Sequence, residues 1–243
     1  MNRNSVLIKQ YAELQQQFLD NRGNVEFRDY LKKRGMTKEI VSRFELGYNT
    51  KMFFHKNGDP LIGNNAITIP IRDFSGRIVA FQSRFVKNPI INGTEYRYFN
   101  SDVLPLVYEK KKWLYNIERV VTDYYDRTVY VVEGVFDLFS LAVAGIDNVV
   151  ATIGNRLSIE TTEMLIQYFD KVIFVLDKGD GGQVMIDFKN PRIWDIELYK
   201  VQVEDVGDKE YKDSNDLLLG GINIQDYFAG KIVKIEKEVE VYG

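Results

Sequence analysis

The sequence predicts an α/β protein in which an α+β N-terminal part precedes a domain built on a parallel sheet. Over the first 45 residues, apolar side chains recur with the 3.6-residue period of a helix. From about Thr128 onward, short continuous apolar segments alternate with amphipathic ones, which is typical of parallel strands joined by helices. The 243 residues, 45% of them apolar, are enough for one or two compact units.

The first 45 residues predict three helices. The first carries apolar residues from Val6 to Phe18 and stops at a polar run over 20–23. A second short helix spans about 25–33, and Gly35 marks its end. Thr37 has the side chain of an N-cap and is expected to begin the third helix.

The pattern then changes to the two-residue period of strands. Segments 66–71 and 77–81 flank the turn 73–76 and predict a hairpin, and 96–99 predicts another strand. After three consecutive lysines, a helix is expected near 113–121. The tail over 231–242 alternates β-branched and charged residues, which favours a charged edge strand.

The second half predicts a strand–helix repeat. Apolar strands at 129–132, 149–152 and 172–176 are separated by amphipathic helices at 135–143 and 159–168. Functional sites of open parallel sheets lie at the carboxyl ends of the strands. Acidic residues follow these strands and a fourth one further along the chain: Glu133, Asp137, Asp177, Asp180 and Asp213.

This acidic set predicts a site for a hard divalent cation. Neighbouring carboxylates repel one another unless cations lie between them, and oxygen ligands suit Mg²⁺. The chain has no cysteine and one histidine, His55, which excludes zinc ribbons, iron–sulfur clusters, disulfides and a thiolate nucleophile. Any single aspartate has an alternative role as a helix N-cap or a solvated loop residue.

The two halves of the chain carry opposite charge. Residues 1–130 hold 21 Lys and Arg against 14 Asp and Glu, a net +7, and residues 131–243 hold 11 against 21, a net −10. A basic part suits a polyanion and an acidic part suits cations, although two ordinary faces of a soluble protein would give the same sums. No P-loop motif occurs. A polar N-terminus and the lack of a long apolar run favour a soluble, cytoplasmic protein.

Three runs in the second half resemble the TOPRIM domain shared by bacterial-type primases, topoisomerases and some nucleases. They cover 131–137, 144–154 and the loop 177–182. The resemblance implies that Glu133, Asp177 and Asp180 are catalytic and bind or act beside metal ions. The acidic pair of that family is usually Asp-x-Asp, whereas here two residues separate Asp177 from Asp180.

Motifs outside these runs narrow the resemblance to the RNA-polymerase core of bacterial and bacteriophage primases. They lie at 30–37, 44–48, 69–81 and 97–101, with further ones at 110–116 and 212–216. The resemblance covers roughly 5–220 and implies a basic subdomain at 1–127, a TOPRIM domain at 128–221 and an extension at 222–243. It also implies a set of residues that bind template or nucleotide: Arg34, Arg84, Arg97, Tyr98, Lys110 and Lys212.

The function implied is that of a primase catalytic core, which joins ribonucleoside triphosphates into a short RNA primer on single-stranded DNA. The expected cofactor is Mg²⁺ or Mn²⁺, with these ligands: Glu133, Asp137, Asp177, Asp180 and Asp213. A replicative helicase and a separate zinc-binding module are the expected partners, since the chain has no cysteine. The alternatives are a TOPRIM-type nuclease and a non-catalytic single-stranded DNA-binding accessory module.

Overall fold

The computed structural model describes residues 3–51, 53–54, 60–62, 65–91, 93–100, 112–123, 126–153, 157–179 and 191–236. His55, Lys110 and Asp180 lie outside these ranges. The chain divides into two compact units, an N-terminal unit of residues 1–110 and a C-terminal unit of residues 111–243.

The N-terminal unit begins with the three predicted helices, which are confirmed. They are α1 (Arg3–Asp20), α2 (Val25–Lys33) and α3 (Lys38–Arg43), and a 3₁₀ turn over Asn21–Gly23 follows α1. The Asn24 side chain caps α2 by accepting the N–H groups of Glu26 and Phe27, and Thr37 caps α3 as predicted. Side-chain oxygens therefore define where both short helices begin.

An antiparallel sheet of four strands follows, in the order β1 (Gly47–Asn49), β4 (Ala66–Arg72), β5 (Ile78–Phe85) and β8 (Tyr98–Asn100). Two short hairpins join β2 (Phe53–Phe54) to β3 (Pro60–Ile62) and β6 (Ile90–Ile91) to β7 (Thr94–Glu95). The predicted hairpin of β4 and β5 is confirmed, with a longer second strand than expected. The strand predicted at 96–99 begins two residues later because its pairing with β5 starts at Tyr98.

Helix α1 packs closely on one face of this sheet. Tyr11 and Phe18 each meet the Phe81 ring edge-on at a centroid distance of 5.4 Å, and all three side chains are fully buried. Strand β1 approaches α1 so closely that a Cβ atom on Gly47 would lie 2.6 Å from the Cβ of Phe18. Glycine at position 47 therefore permits this helix–sheet contact.

The C-terminal unit contains a six-stranded mixed sheet. Its strands lie side by side in this order: β14 (Val233–Lys234), β13 (Glu197–Gln202), β12 (Lys171–Leu176), β10 (Thr128–Val132), β11 (Val149–Thr152) and β9 (Leu114–Tyr115). Its four central strands are parallel: β10 (Thr128–Val132), β11 (Val149–Thr152), β12 (Lys171–Leu176) and β13 (Glu197–Gln202). The edge strands β9 (Leu114–Tyr115) and β14 (Val233–Lys234) are antiparallel to their neighbours. The three predicted parallel strands are confirmed. Of the charged edge strand predicted at 231–242, only Val233–Lys234 forms a strand among the described residues, because only these two pair with β13.

Five helices of the C-terminal unit are described. They are α4 (Ile117–Asp123), α5 (Val135–Val143), α6 (Ile159–Tyr168), α7 (Ser214–Leu219) and α8 (Ile224–Ala229), with a 3₁₀ turn over Pro191–Asp195. The helix predicted near 113–121 begins later, since residues 114–115 pair with β11. Residues 112–123 thus belong to this unit, upstream of the boundary predicted after residue 127. No described helix has the length and apolar character needed to span a membrane.

Candidate active site

The predicted acidic residues follow neighbouring strands of the parallel sheet. Glu133 comes directly after β10, Asp137 lies in the first turn of α5, and Asp177 comes directly after β12. Strands β10 and β12 pair in parallel, so their carboxyl ends meet at one edge of the sheet. Asp213 follows β13 along the chain and immediately precedes α7.

Asp137 has a partly buried carboxylate within this set. Its Oδ1 atom is buried and has no hydrogen-bond partner among the described residues. Burial raises the pKa of Asp137 well above its ordinary value, and the negative charges of Asp177, Asp213 and Glu133 raise it further. Gly134 makes room for this carboxylate, because a Cβ atom there would lie 2.8 Å from Asp137 Oδ2.

Asp177 has a pKa raised to about 7. Burial is the main cause, followed by repulsion from Glu133 and Asp213, while the Lys212 ammonium acts in the opposite direction. Burial also raises the pKa of Glu133, and the positive charge of Lys212 offsets part of that increase. The structure therefore brings Glu133, Asp177, Asp213 and Lys212 within electrostatic reach of one another.

Hydrogen bonds hold the main chain at the Asp177 carbonyl and at the N–H group of the next residue, Lys178. The Gln202 side-chain amide donates to the Asp177 carbonyl at 2.7 Å, and the Lys178 N–H donates to the Lys212 carbonyl at 2.8 Å. The Lys178 ammonium also contacts both carboxylate oxygens of Asp205 at 2.7 Å. The bond between Lys178 and Lys212 joins the end of β12 to the segment that carries Lys212 and Asp213.

Asp213 is also a helix N-cap, which is the alternative role that the sequence allows for any single aspartate of the set. Its Oδ1 atom accepts the Asp216 N–H at 2.8 Å and so caps α7, while Asp216 Oδ2 accepts the Lys212 N–H at 3.1 Å. Capping engages one of the Asp213 carboxylate oxygens. The predicted metal ligand is thus also the residue that fixes where α7 begins.

Sequence reasoning missed two uncharged residues, Ser140 and Asn215. The Asn215 side-chain amide donates to Ser140 Oγ at 2.9 Å, and Ser140 Oγ donates to the Phe136 carbonyl at 2.8 Å. Both side chains are almost fully buried, and the Asn215 main-chain N–H stabilises the charged form of Asp137. The sequence feature that could have indicated this hydrogen bond is Ser140 itself, a polar residue within the otherwise largely apolar helix α5.

The donor set of this region fits a divalent cation. It offers carboxylate oxygens that repel one another, one of them buried and unpartnered, and no softer ligand lies among them. Within the described ranges, no three acidic or histidine side chains are already gathered in the geometry of a metal site. Ligand binding would therefore require adjustment of these side chains or the contribution of Asp180, which lies outside the described residues.

In the N-terminal unit the structure brings two of the predicted nucleic-acid-binding residues, Arg34 and Arg84, beside the ring of Tyr30, and a third, Tyr98, beside Arg84. Arg34 caps the C-terminal end of α2, one turn beyond Tyr30. The guanidinium carbons of Arg34 and Arg84 lie 5.7 Å and 6.0 Å from the Tyr30 ring centroid. Arg84 also lies 4.9 Å from the Tyr98 ring centroid. Arg84 is only 8% exposed, whereas Arg97 is exposed. Lys212 lies in the C-terminal unit beside the acidic set.

Known proteins share both the sequence motifs and the fold. Residues 130–218 match a family model described as Toprim-like. A DNA primase from Legionella pneumophila is 29% identical over 200 residues, which cover 73% of this chain and 34% of that protein. The chain thus spans about a third of the length of the curated primases it matches.

Solved structures agree with this chain over nearly its whole length. The RNA polymerase domain of Mycobacterium tuberculosis primase DnaG superposes with a TM-score of 0.75 at 18% identity, covering 96% of this chain and 85% of that one. A DnaG primase catalytic domain bound to single-stranded DNA gives a TM-score of 0.73 at 19% identity, with 95% and 80% coverage. These similarities establish the fold.

Proposed function

Because the chain has the fold of the bacterial-type DNA primase catalytic core, we propose that it synthesises short RNA primers from ribonucleoside triphosphates on single-stranded DNA. The observation that carries this proposal is the acidic set at the ends of neighbouring parallel strands, in which the charges of Glu133 and Asp213 raise the pKa of Asp177 and all three raise the pKa of Asp137. Such a set is costly unless it binds cations, and nucleotidyl transfer is a reaction that needs them.

The acidic residues of the C-terminal unit are the proposed catalytic and metal-binding groups. Glu133, Asp177 and Asp180 act in catalysis, and Asp137 and Asp213 complete the ligands for Mg²⁺ or Mn²⁺. The bound ions would supply charge stabilisation for the pentacovalent phosphorus and a lowered pKa at the attacking 3′-hydroxyl. Lys212 lowers the pKa of Asp177 through its positive charge, and its proposed role is to attract a nucleotide triphosphate.

The N-terminal unit is the proposed main contact for the template. Arg97 and Tyr98 are adjacent residues, one a cation for phosphate and the other a ring on which an unpaired base can stack. Arg34 and Lys110 add positive charge in a region whose net charge is +7 over residues 1–130. The proposed partners are a replicative helicase and a separate zinc-binding module.

The test is to incubate the full chain with single-stranded DNA, labelled ribonucleoside triphosphates and Mg²⁺ or Mn²⁺. Primer synthesis is expected, and Asp177→Asn should lower its rate by roughly a hundredfold because it removes a charged ligand. Asp170→Asn is a matched control, since Asp170 is exposed and pairs with Arg127 outside the acidic set. Synthesis that persists within tenfold in Asp177→Asn contradicts the assignment, loss of template supports the nuclease, and binding without reaction supports the accessory module.

A further inference from the structure

The chain that follows β13 forms a tight hairpin over residues 203–212 and returns to the end of β12. Val206 and Lys209 exchange main-chain hydrogen bonds of 3.1 Å and 3.2 Å at its turn. Asp205 lies on the arm before the turn, and the arm after it leads directly into Asp213. The position of this 203–212 hairpin therefore determines where the Asp213 carboxylate lies.

Lys178, the residue after Asp177, binds both arms of the hairpin. Its N–H donates to the Lys212 carbonyl at 2.8 Å, and its ammonium donates to both carboxylate oxygens of Asp205 at 2.7 Å. Asp205 Oδ1 also accepts the Tyr211 N–H at 3.2 Å, which joins the two arms to each other. One lysine thus holds the whole hairpin at the end of β12.

The contact between Lys178 and Asp205 engages the charge of both residues. Their side chains are 41% and 40% exposed, and an ion pair of this kind adds little to the stability of a fold. Its geometry has a more specific consequence. The hairpin leads to Asp213, which lies close enough to Asp177 to raise its pKa, so the ion pair connects the two segments that carry these carboxylates.

We propose that Lys178 and Asp205 are positioning residues for the divalent-cation site, an inference that rests on the proposed function. Their ion pair keeps the Asp213 carboxylate at a fixed place relative to that of Asp177, and neither Lys178 nor Asp205 is itself a ligand. Side chains that hold ligands in place contribute to metal affinity without touching the metal. A hairpin released from Lys178 therefore binds the cation less tightly.

The direction of the change in affinity separates positioning from simple charge. Lys178 is a positive charge beside the site, so its removal should strengthen cation binding if charge alone matters. Removal of Asp205 should weaken binding on either account. If the ion pair positions the hairpin, both removals weaken cation binding, because either one breaks the same contact. The result for Lys178→Met is therefore decisive.

The experiment titrates Mn²⁺ into the metal-free full chain and follows the electron paramagnetic resonance signal of the unbound ion. Lys178→Met and Asp205→Asn should each raise the Kd for Mn²⁺ about threefold to fivefold, as expected for the loss of one partly exposed ion pair. The double variant should bind no more weakly than the weaker single variant, since the contact is lost only once. Lys178→Arg should stay within twofold of wild type, because a guanidinium pairs with both carboxylate oxygens.

Lys171→Met is the matched control, since Lys171 begins β12 and so removes the same charge at the other end of the strand. Its Kd for Mn²⁺ should equal that of the wild type. In primer synthesis, Lys178→Met should need threefold to fivefold more Mn²⁺ for half of the maximal rate. The rate at saturating Mn²⁺ and the KM for ribonucleotides should stay within twofold of wild type.

Unchanged or tighter Mn²⁺ binding in Lys178→Met overturns the inference. A raised ribonucleotide KM in Lys178→Met but not in Asp205→Asn would make Lys178 a phosphate-binding residue and also overturns it. A wild-type chain that binds Mn²⁺ but makes no primers contradicts the proposed function alone, since the Kd ratios still test the positioning role. A wild-type chain that binds no Mn²⁺ overturns both. If urea unfolding shows that Lys178→Met is not folded, Lys178→Ala takes its place, with the same outcomes.

Discussion

Gly47 shows how one missing side chain allows a helix to pack on a sheet. A Cβ atom at this position would lie 2.6 Å from Phe18 Cβ and 2.9 Å from the Phe18 carbonyl carbon, and neither atom is at the end of a flexible side chain. We expect Gly47→Ala to lower the free energy of unfolding by about 1 to 3 kcal/mol, because α1 must move away from β1.

Urea unfolding monitored by circular dichroism measures this effect. Gly23→Ala is the matched control, since nothing lies within 4 Å of a Cβ atom there. Equal stability of the two variants would show that α1 accommodates the methyl group without loss.

The raised pKa of Asp177 makes a second prediction for a single residue. Its folded pKa of about 7 lies above the ordinary value of 3.8, so the folded chain keeps a proton that the unfolded chain releases. Stability of the metal-free protein should therefore fall as pH rises from about 4 to about 7, by up to about 1.4 kcal/mol per pH unit for one proton. Asp177→Asn should flatten this dependence.

Urea unfolding in the presence of a chelator, at several pH values from 4.5 to 8, provides the measurement. The difference in stability between Asp177→Asn and wild type should grow with pH up to about 7 and then level off. Asp170→Asn should follow the wild-type curve. Parallel curves for wild type and Asp177→Asn would mean that Asp177 titrates alike in the folded and unfolded chains.

The link between helices α5 and α7 operates at the scale of elements. Ser140 and Asn215 are 75 positions apart in sequence, and their buried hydrogen bond fixes the N-terminal turn of α7, where Asp213 lies, against α5, which carries Asp137. Ser140→Ala leaves the Asn215 amide without its acceptor and should cost about 1 to 3 kcal/mol of stability.

A double-mutant cycle of Ser140→Ala with Asn215→Ala isolates the interaction. The two losses should be less than additive, with a coupling energy of about 0.5 to 3 kcal/mol in urea unfolding. Asn223→Ala provides the control pairing, since Asn223 caps α8 and forms no hydrogen bond with Ser140 in the described part of the chain. Additive losses in the Ser140–Asn215 cycle would show that the bond contributes nothing to stability.

Local patterns were enough to predict most elements. Continuous apolar runs specified β10, β11 and β12, and Asn24 and Thr37 are side chains of the kind that begin helices, as Thr37 was predicted to do. Strand β9 was not predicted, because a two-residue strand exists only through its pairing with β11. Likewise, the start of β8 at Tyr98 is set by its register with β5.

Only the charged residues of the candidate site were predicted from the sequence. Glu133 and Asp177 were identifiable because each directly follows an apolar strand. Ser140 and Asn215 have ordinary uncharged side chains, and only the folded chain brings them together. The burial of Arg84 was also unpredictable, since arginine is among the residue types least often buried.

For the molecule as a whole, the separation of charge predicts a response to divalent cations. Cations that bind the folded acidic set but not the unfolded chain stabilise the fold by mass action, by about 2.7 kcal/mol at a hundredfold excess over Kd. Mn²⁺ should therefore raise the Tm of the wild type and of Asp170→Asn, and raise that of Asp177→Asn much less. Differential scanning fluorimetry with and without a chelator tests this, and equal shifts in all three proteins would place the cations elsewhere.

The mixed sheet of the C-terminal unit also has a consequence for behaviour at high concentration. Among the described residues, its two edges are β9 and β14, each only two residues long, and charged residues flank β14 at Lys231 and Glu236. A long apolar edge would expose unpaired peptide groups on which another chain can assemble as an added strand. Short edge strands expose few unpaired peptide groups, and the charges beside β14 disfavour the approach of another chain. This unit should therefore resist aggregation through strand addition, since its hydrophobic parallel strands lie at the centre of the sheet.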